Sequence, residues 1–191
     1  MEFKQTFDSA DQWLETLNLQ VEVEGLNKEN LARASQLLNK TNQMNLSTRR
    51  LTIAELLDWS QKPENALLTF RVCDKFGDYG LVGIASLALD SASQEARVVD
   101  FVLSCRVMGR KVEETMLHVL TRAATNMGAQ IVGATHLPTS KNKPCLDFFE
   151  RSGFQKPASG GAFSWALNKA YAKPRAIGLL LKSATVLNRS F

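Results

Sequence analysis

FVLSCRVMGRKVEETML, residues 101–117, decides the fold. Its first half closes the run ARVVDFVLSC (96–105), whose β-branched and aromatic residues suit a strand. Gly109, Arg110 and Lys111 interrupt the run. From Val112, the apolar residues Met116, Val119, Leu120 and Ala123 recur at helical spacing until Gly128. A strand, a glycine turn and a long helix make a crossover, so the next apolar run, QIVGATHL (130–137), is expected to return parallel to the first strand. The class is therefore α/β, and a site is expected where the two parallel strands splay at their carboxyl ends.

Upstream, ALLTFRVCD (66–74) and LVGIASLAL (81–89) read as strands joined by the turn KFGDYG, and SASQE leads into the run at 96; these form an antiparallel meander. Before them, Leu31, Ala34, Leu37 and Leu38 mark an amphipathic helix, and Thr52 with Glu55 forms a capping box for a second. The polar connector KTNQMNLSTRR (40–50) separates the two. Asp8 or Ser9 caps a short helix carrying Trp13, Leu14 and Leu17, and Leu19, Val21 and Val23 alternate as a first strand. Downstream, KNKPCLDFFERSGF (141–154) reads as a short helix with a glycine cap, and AFSWAL (162–167) as a closing strand. One domain is expected over 1–167. A basic, apolar tail or helix follows over 168–191, with five basic and no acidic residues, packing on its own domain or on a second copy.

The 191 residues suffice for one core, and 45% hydrophobic with 22% charged residues is ordinary globular composition. A net charge of +4 lacks the dense basic stripe of a nucleic-acid binder and suits an anionic ligand or an acidic partner. Cys73, Cys105 and Cys145 form no CxxC pair and are odd in number, arguing against a disulfide framework or zinc and for a reducing, cytoplasmic setting. No segment has the ~20 apolar residues of a membrane span, so a membrane role is not expected.

The element order, with a glycine turn between a strand and a long helix, is similar to that of GNAT acyltransferases: a mixed, mostly antiparallel sheet with splayed parallel strands and flanking helices. The blocks QLLNKTNQMNLSTRR (36–50), DKFGDYGLVGIA (74–85), FVLSCRVMGRKVEETML (101–117) and TSKNKPCLDFFERSGF (139–154) resemble the C-terminal region of FkbH-like proteins, over residues 10 to 167. Such proteins pair a HAD-type phosphatase domain with this acyltransferase domain. The resemblance implies loading of a small acyl group such as glyceryl onto the phosphopantetheine thiol of an acyl carrier protein. The Asp-x-Asp motif of the phosphatase half is absent here, so a separate HAD-type partner would supply that chemistry.

Where the GNAT turn wants small residues to cradle the pyrophosphate of coenzyme A, this chain has Lys111 and Glu113 around Gly109. The usual tyrosine acid is replaced by Phe149. The resemblance implies a pantetheine path along Val102, Leu103 and Ser104, with Gly109, Arg110 and Lys111 at a phosphate and Asn142 on the pantetheine amides. The candidate catalytic residues are Cys105, a strand-end thiol next to Arg106 able to accept an acyl group; His136, at the end of the next strand; and Asp100, a base or a hydrogen-bonded structural carboxylate. Asn42, Asn45, Arg49 and Lys141 are candidates for the acceptor pocket, although such a polar connector also ties down a loop by itself. The thioester is expected on acyl-CoA or phosphopantetheine, with no metal. A CoA-dependent N-acetyltransferase and a non-catalytic carrier-docking module are the alternatives. Of the remaining thiols, Cys73 is expected to be buried and inert, and Cys145 to compete with Cys105.

Overall fold

A computed structural model describes residues 10–157 and 161–182. The elements in order are α1 (Ala10–Thr16), β1 (Gln20–Gly25), α2 (Leu31–Lys40), β2 (Met44–Asn45), α3 (Ile53–Ser60), β3 (Asn65–Asp74), β4 (Gly77–Asp90), β5 (Glu95–Leu103), α4 (Val112–Asn126), β6 (Ile131–Ala134), α5 (Lys143–Arg151), β7 (Phe163–Ala166) and β8 (Gly178–Leu181). One sheet runs β7-β6-β5-β4-β3-β1-β8, with β2 attached to β5 off that path. The pairings are antiparallel apart from β5–β6 and β1–β8.

Alternation along the strands sorts side chains onto two faces. Leu67, Ile84 and Val102 point to one face and are covered by Ala34, Leu37, Leu38 and Leu56 of α2 and α3. Leu68, Phe70, Ala85, Phe101 and Leu103 point to the other and meet α4 and α5. The sheet is thus the middle of three layers, and its central strands are apolar on both sides. The capping box foreseen at Thr52 is present: Thr52 Oγ1 accepts from the Glu55 N–H, and Glu55 accepts from the Thr52 N–H.

The β5–α4–β6 crossover is right where residues 101–137 put it, but parallel pairing is short, from Glu95↔Ile131 to Val98↔Ala134. A bulge between Ser86 and Leu87 of β4 opposes an extra residue in β5, next to Asp100. Beyond it β5 continues to Leu103 without β6, and this is where the two strands part.

The tail differs from a free or helical segment. Gly178–Leu181 adds a strand to the edge at β1, with Gln20↔Gly178 through Val23↔Leu181, and Tyr171 and Ile177 are buried. Residues 183–191 lie outside the described part, as do the capping candidates Asp8 and Ser9.

Candidate active site

The open edge of β5 is the natural place for a ligand, because its backbone groups need partners once β6 has turned away. The chain supplies those partners itself. Met44 and Asn45 pair antiparallel with Leu103 and Val102, and the Leu46 N–H donates to the Phe101 carbonyl at 3.1 Å. On its far side the same short segment is held by β6's continuation, Leu137 N–H donating to the Leu46 carbonyl at 2.9 Å. Asn142, fully buried, locks this arrangement: Nδ2 donates to the carbonyls of Asn45 and Leu137, both at 2.9 Å, and Oδ1 accepts the Thr139 N–H at 2.7 Å. Both amide protons of Asn142 are committed to protein carbonyls, so the pantetheine role expected of it has no donor left.

The glycine turn is similarly engaged. Gly109, at φ 74°, and Lys111, in the left-handed region at φ 65°, bring the chain round into α4. The N–H of Gly109 donates to Glu113 Oε1 at 2.7 Å. Glu113 is buried, its Oε2 has no partner, and burial raises its pKa above the ordinary carboxylate value. Arg110 donates to Asp74 Oδ2 at 3.1 Å and to the Tyr79 hydroxyl at 2.9 Å, lying over the Tyr79 ring, while Lys111 pairs with Glu114 at 3.2 Å. The cations expected to hold a phosphate are thus each paired with a carboxylate. The Ser104 N–H donates to the Val82 carbonyl, and its hydroxyl accepts the Arg106 N–H.

The three catalytic candidates are not gathered at one point. Asp100 is fully buried and held by both Nε and Nη2 of Arg49 and by the Ser86 hydroxyl at 2.6 Å; Arg49 in turn stacks on Trp59 at 4.5 Å. These bonds occupy both Asp100 oxygens, and Arg49, held by Asp100, does not line the cleft at Cys105. Asn45 is buried too, tying the connector through Thr41 O and Thr48 N–H. His136 faces the Asn142 carbonyl at 3.3 Å through Nε2. It does not line the cavity at Cys105. Phe149, fully buried, packs edge-on against Phe101, Phe148 and Phe154 within an aromatic cluster.

Cys105 is exposed just past β5, as the first residue of a short 3-10 turn whose Arg106 N–H is capped by Ser104. It borders a cleft of about 610 Å³ lined by Arg33, Lys40, Asn42, Arg106 and Lys141, with no carboxylate in its wall. None of those four cations makes an ion pair among the described residues. A larger cavity, about 810 Å³ near Trp165 and Tyr171, mixes Glu15 and Glu114 with its lysines and holds no candidate nucleophile. Of the sequence candidates, the cleft unites Cys105, Ser104, Leu103, Asn42 and Lys141. Arg33 and Lys40 were missed because they lie on the outward face of α2, where a cation reads as plain solubility.

The other thiols exchange their expected places. Cys73 is exposed, since Phe70 and Val72 take the inward positions of β3. Cys145 is fully buried, and burial pushes its thiol up to about 12, which leaves it a poor competitor. Among the described residues no group of three or more His, Cys, Asp or Glu is placed to hold a metal.

No protein-family profile matches the sequence, and neither does any curated protein. Solved structures do match the fold. The spermidine N-acetyltransferase of Vibrio cholerae in complex with CoA and spermine superposes with a TM-score of 0.56 at 14% identity, covering 78% of this chain and 97% of that one. The PaiA N-acetyltransferase of Thermoplasma acidophilum in complex with coenzyme A gives 0.58 at 15%, covering 76% and 98%. The ribosomal-protein-S18-alanine N-acetyltransferase of Escherichia coli gives 0.52 at 11%, covering 75% and 89%. The fold is therefore the GNAT acyltransferase fold, established by shape and not by sequence.

The coenzyme that this fold implies fits the residues present poorly. The β5 edge is already paired, the Gly109 N–H already donates to Glu113, and Arg110 and Lys111 already have carboxylates.

Proposed function

We propose that this chain is an acyltransferase that takes its acyl group from a thioester on the phosphopantetheine arm of an acyl carrier protein, with Cys105 as a covalent way-station. The observation that carries this reading is the exposed thiol of Cys105 at the edge of a cleft whose four cations make no ion pair among the described residues and whose wall has no carboxylate. Cations without counter-charges in a concave wall favour an anionic ligand, and the single phosphate of a carrier-bound arm meets that need. The likeness of 36–50 and 101–117 to FkbH-like proteins supports a small acyl group such as glyceryl, a carrier protein as partner and a HAD-type phosphatase as a second partner.

The chemistry needs only this chain's thiol and the donor. The Cys105 thiol gives its proton to solvent, and Sγ attacks the thioester carbonyl. The new S–C bond forms as the bond to the carrier sulfur breaks, and the departing thiolate takes up a proton. The acceptor then attacks the Cys105 thioester, loses its own proton and returns the thiolate. The first step exchanges one acyl–sulfur bond for another and the second passes the acyl group to the acceptor, so a thiol, hydroxyl or amine acceptor needs no external energy source.

A second enzymatic reading, N-acetyl transfer from acyl-CoA to an amine, is favoured by fold neighbours that are N-acetyltransferases. Two features stand against it: Phe149 supplies no acid, and the Gly109 turn is closed by Glu113.

The test is a transfer assay with acyl-carrier and acyl-CoA donors, on the wild type and Cys105→Ser. Transfer from the carrier donor, lost in Cys105→Ser, supports the proposal. Amine acetylation from acyl-CoA that survives the substitution supports the second reading. Saturable carrier binding with no transfer would make the chain a docking module.

A further inference from the structure

The crevice beside β5 and the start of α4 share a property not required by acyl transfer at Cys105: both are filled from within. We propose that the chain carries built-in substitutes for the pantetheine and pyrophosphate parts of coenzyme A, Met44–Leu46 standing as a strand in the splay and the Glu113 carboxylate sitting on the Gly109 N–H, so that coenzyme A is not a ligand of this groove.

The argument rests on the chemistry of each half. A pantetheine arm has two amides and binds an open strand edge by making the hydrogen bonds of a neighbouring strand. Met44↔Leu103, Asn45↔Val102 and the Leu46 N–H to Phe101 O bond already make them. Displacing Met44–Leu46 would take the acceptors from the Leu137 N–H and from one amide proton of the buried Asn142, which a ligand would have to replace. A thioester amide pair replaces only part of that set.

In the other half, backbone N–H groups ahead of a helix make an anion site. Here the acceptor is a carboxyl oxygen of the same chain, four residues along, so any free pyrophosphate must compete with an intramolecular group for the Gly109 N–H. Arg110 and Lys111 would first have to leave Asp74 and Glu114.

The experiment is titration of 15N-labelled full-length protein with coenzyme A and, separately, with inorganic pyrophosphate, reading the amides of Gly109, Phe101–Leu103 and Leu46. Alongside are run Glu113→Gly, Glu113→Gln, which keeps an acceptor, and Glu113→Ala, a second opener in case the glycine variant folds poorly. The wild type and Glu113→Gln are expected to show no saturable shift at those amides to about 1 mM of either ligand. Glu113→Gly or Glu113→Ala is expected to bind pyrophosphate at Gly109 at least about tenfold more tightly than the wild type. Micromolar coenzyme A binding by the wild type, with shifts at Gly109 and Val102, overturns the inference. So does a failure of both opened variants to gain pyrophosphate binding, since Glu113 would then not be what closes the turn.

Discussion

Glu113 Oε1 accepts the backbone N–H of Gly109 at 2.7 Å, so a residue in the first turn of α4 also closes the turn leading into it. Its other oxygen is buried without a partner, and burial holds the carboxyl above its ordinary pKa despite the hydrogen bond. The native state therefore keeps a proton that the unfolded chain releases. The stability this provides is complete below the ordinary carboxylate range and is lost as pH rises through the higher native value. Measured by urea unfolding between about pH 4 and 7, the wild type should lose stability relative to Glu113→Gln as pH increases. A difference that grows in the opposite direction would show that the carboxylate is stabilised in the fold.

Asp100 predicts a stability effect rather than a catalytic one. Replacing it with Ala leaves the Arg49 guanidinium and the Ser86 hydroxyl without their acceptor, and breaking such a buried pair costs about 3–5 kcal/mol. Arg49→Ala should be comparably damaging, and the double variant far less than the sum. Denaturation midpoints of the three variants test this; additive losses would mean that the two residues act separately.

Phe149→Tyr should not restore a catalytic acid. The ring is enclosed by Phe101, Phe148, Phe154 and Phe163, so an added hydroxyl meets no acceptor there and should cost about 1–3 kcal/mol. A thermal melt with a lowered midpoint and unchanged transfer rates is the expected result. A gain in amine acetylation would instead point to an aperture at this position.

In the native protein a thiol reagent should modify Cys73 and Cys105 and spare Cys145 until the chain is unfolded. Peptide mapping after limited labelling reads this directly. Early labelling of Cys145 would mean that α5 opens readily from the sheet.

The crossover at 101–137 was legible because each of its parts is long enough to show a period: apolar strand, glycine turn, helical repeat. The position of Cys73 was legible too, had alternation been followed, since Phe70 and Val72 inward force Arg71 and Cys73 outward. The two-residue strand Met44–Asn45 has no period to read. Its place depends on Asn142, nearly a hundred residues away, so the polar connector looked like a pocket when it is largely a plug. Glu113 carried a visible signal, an acid four residues after a turn glycine, but charge alone suggested repulsion of a phosphate rather than replacement of one. Asp100 stayed ambiguous because its partners Arg49 and Ser86 come from other elements.

The most direct measurement is intact mass after brief incubation with an acyl-carrier thioester, on the wild type, Cys105→Ser and Cys73→Ser. The account predicts an adduct of one acyl group on the wild type and on Cys73→Ser, absent from Cys105→Ser and discharged when acceptor is added. An adduct that persists in Cys105→Ser, or transfer at full rate without any adduct in the wild type, would contradict it.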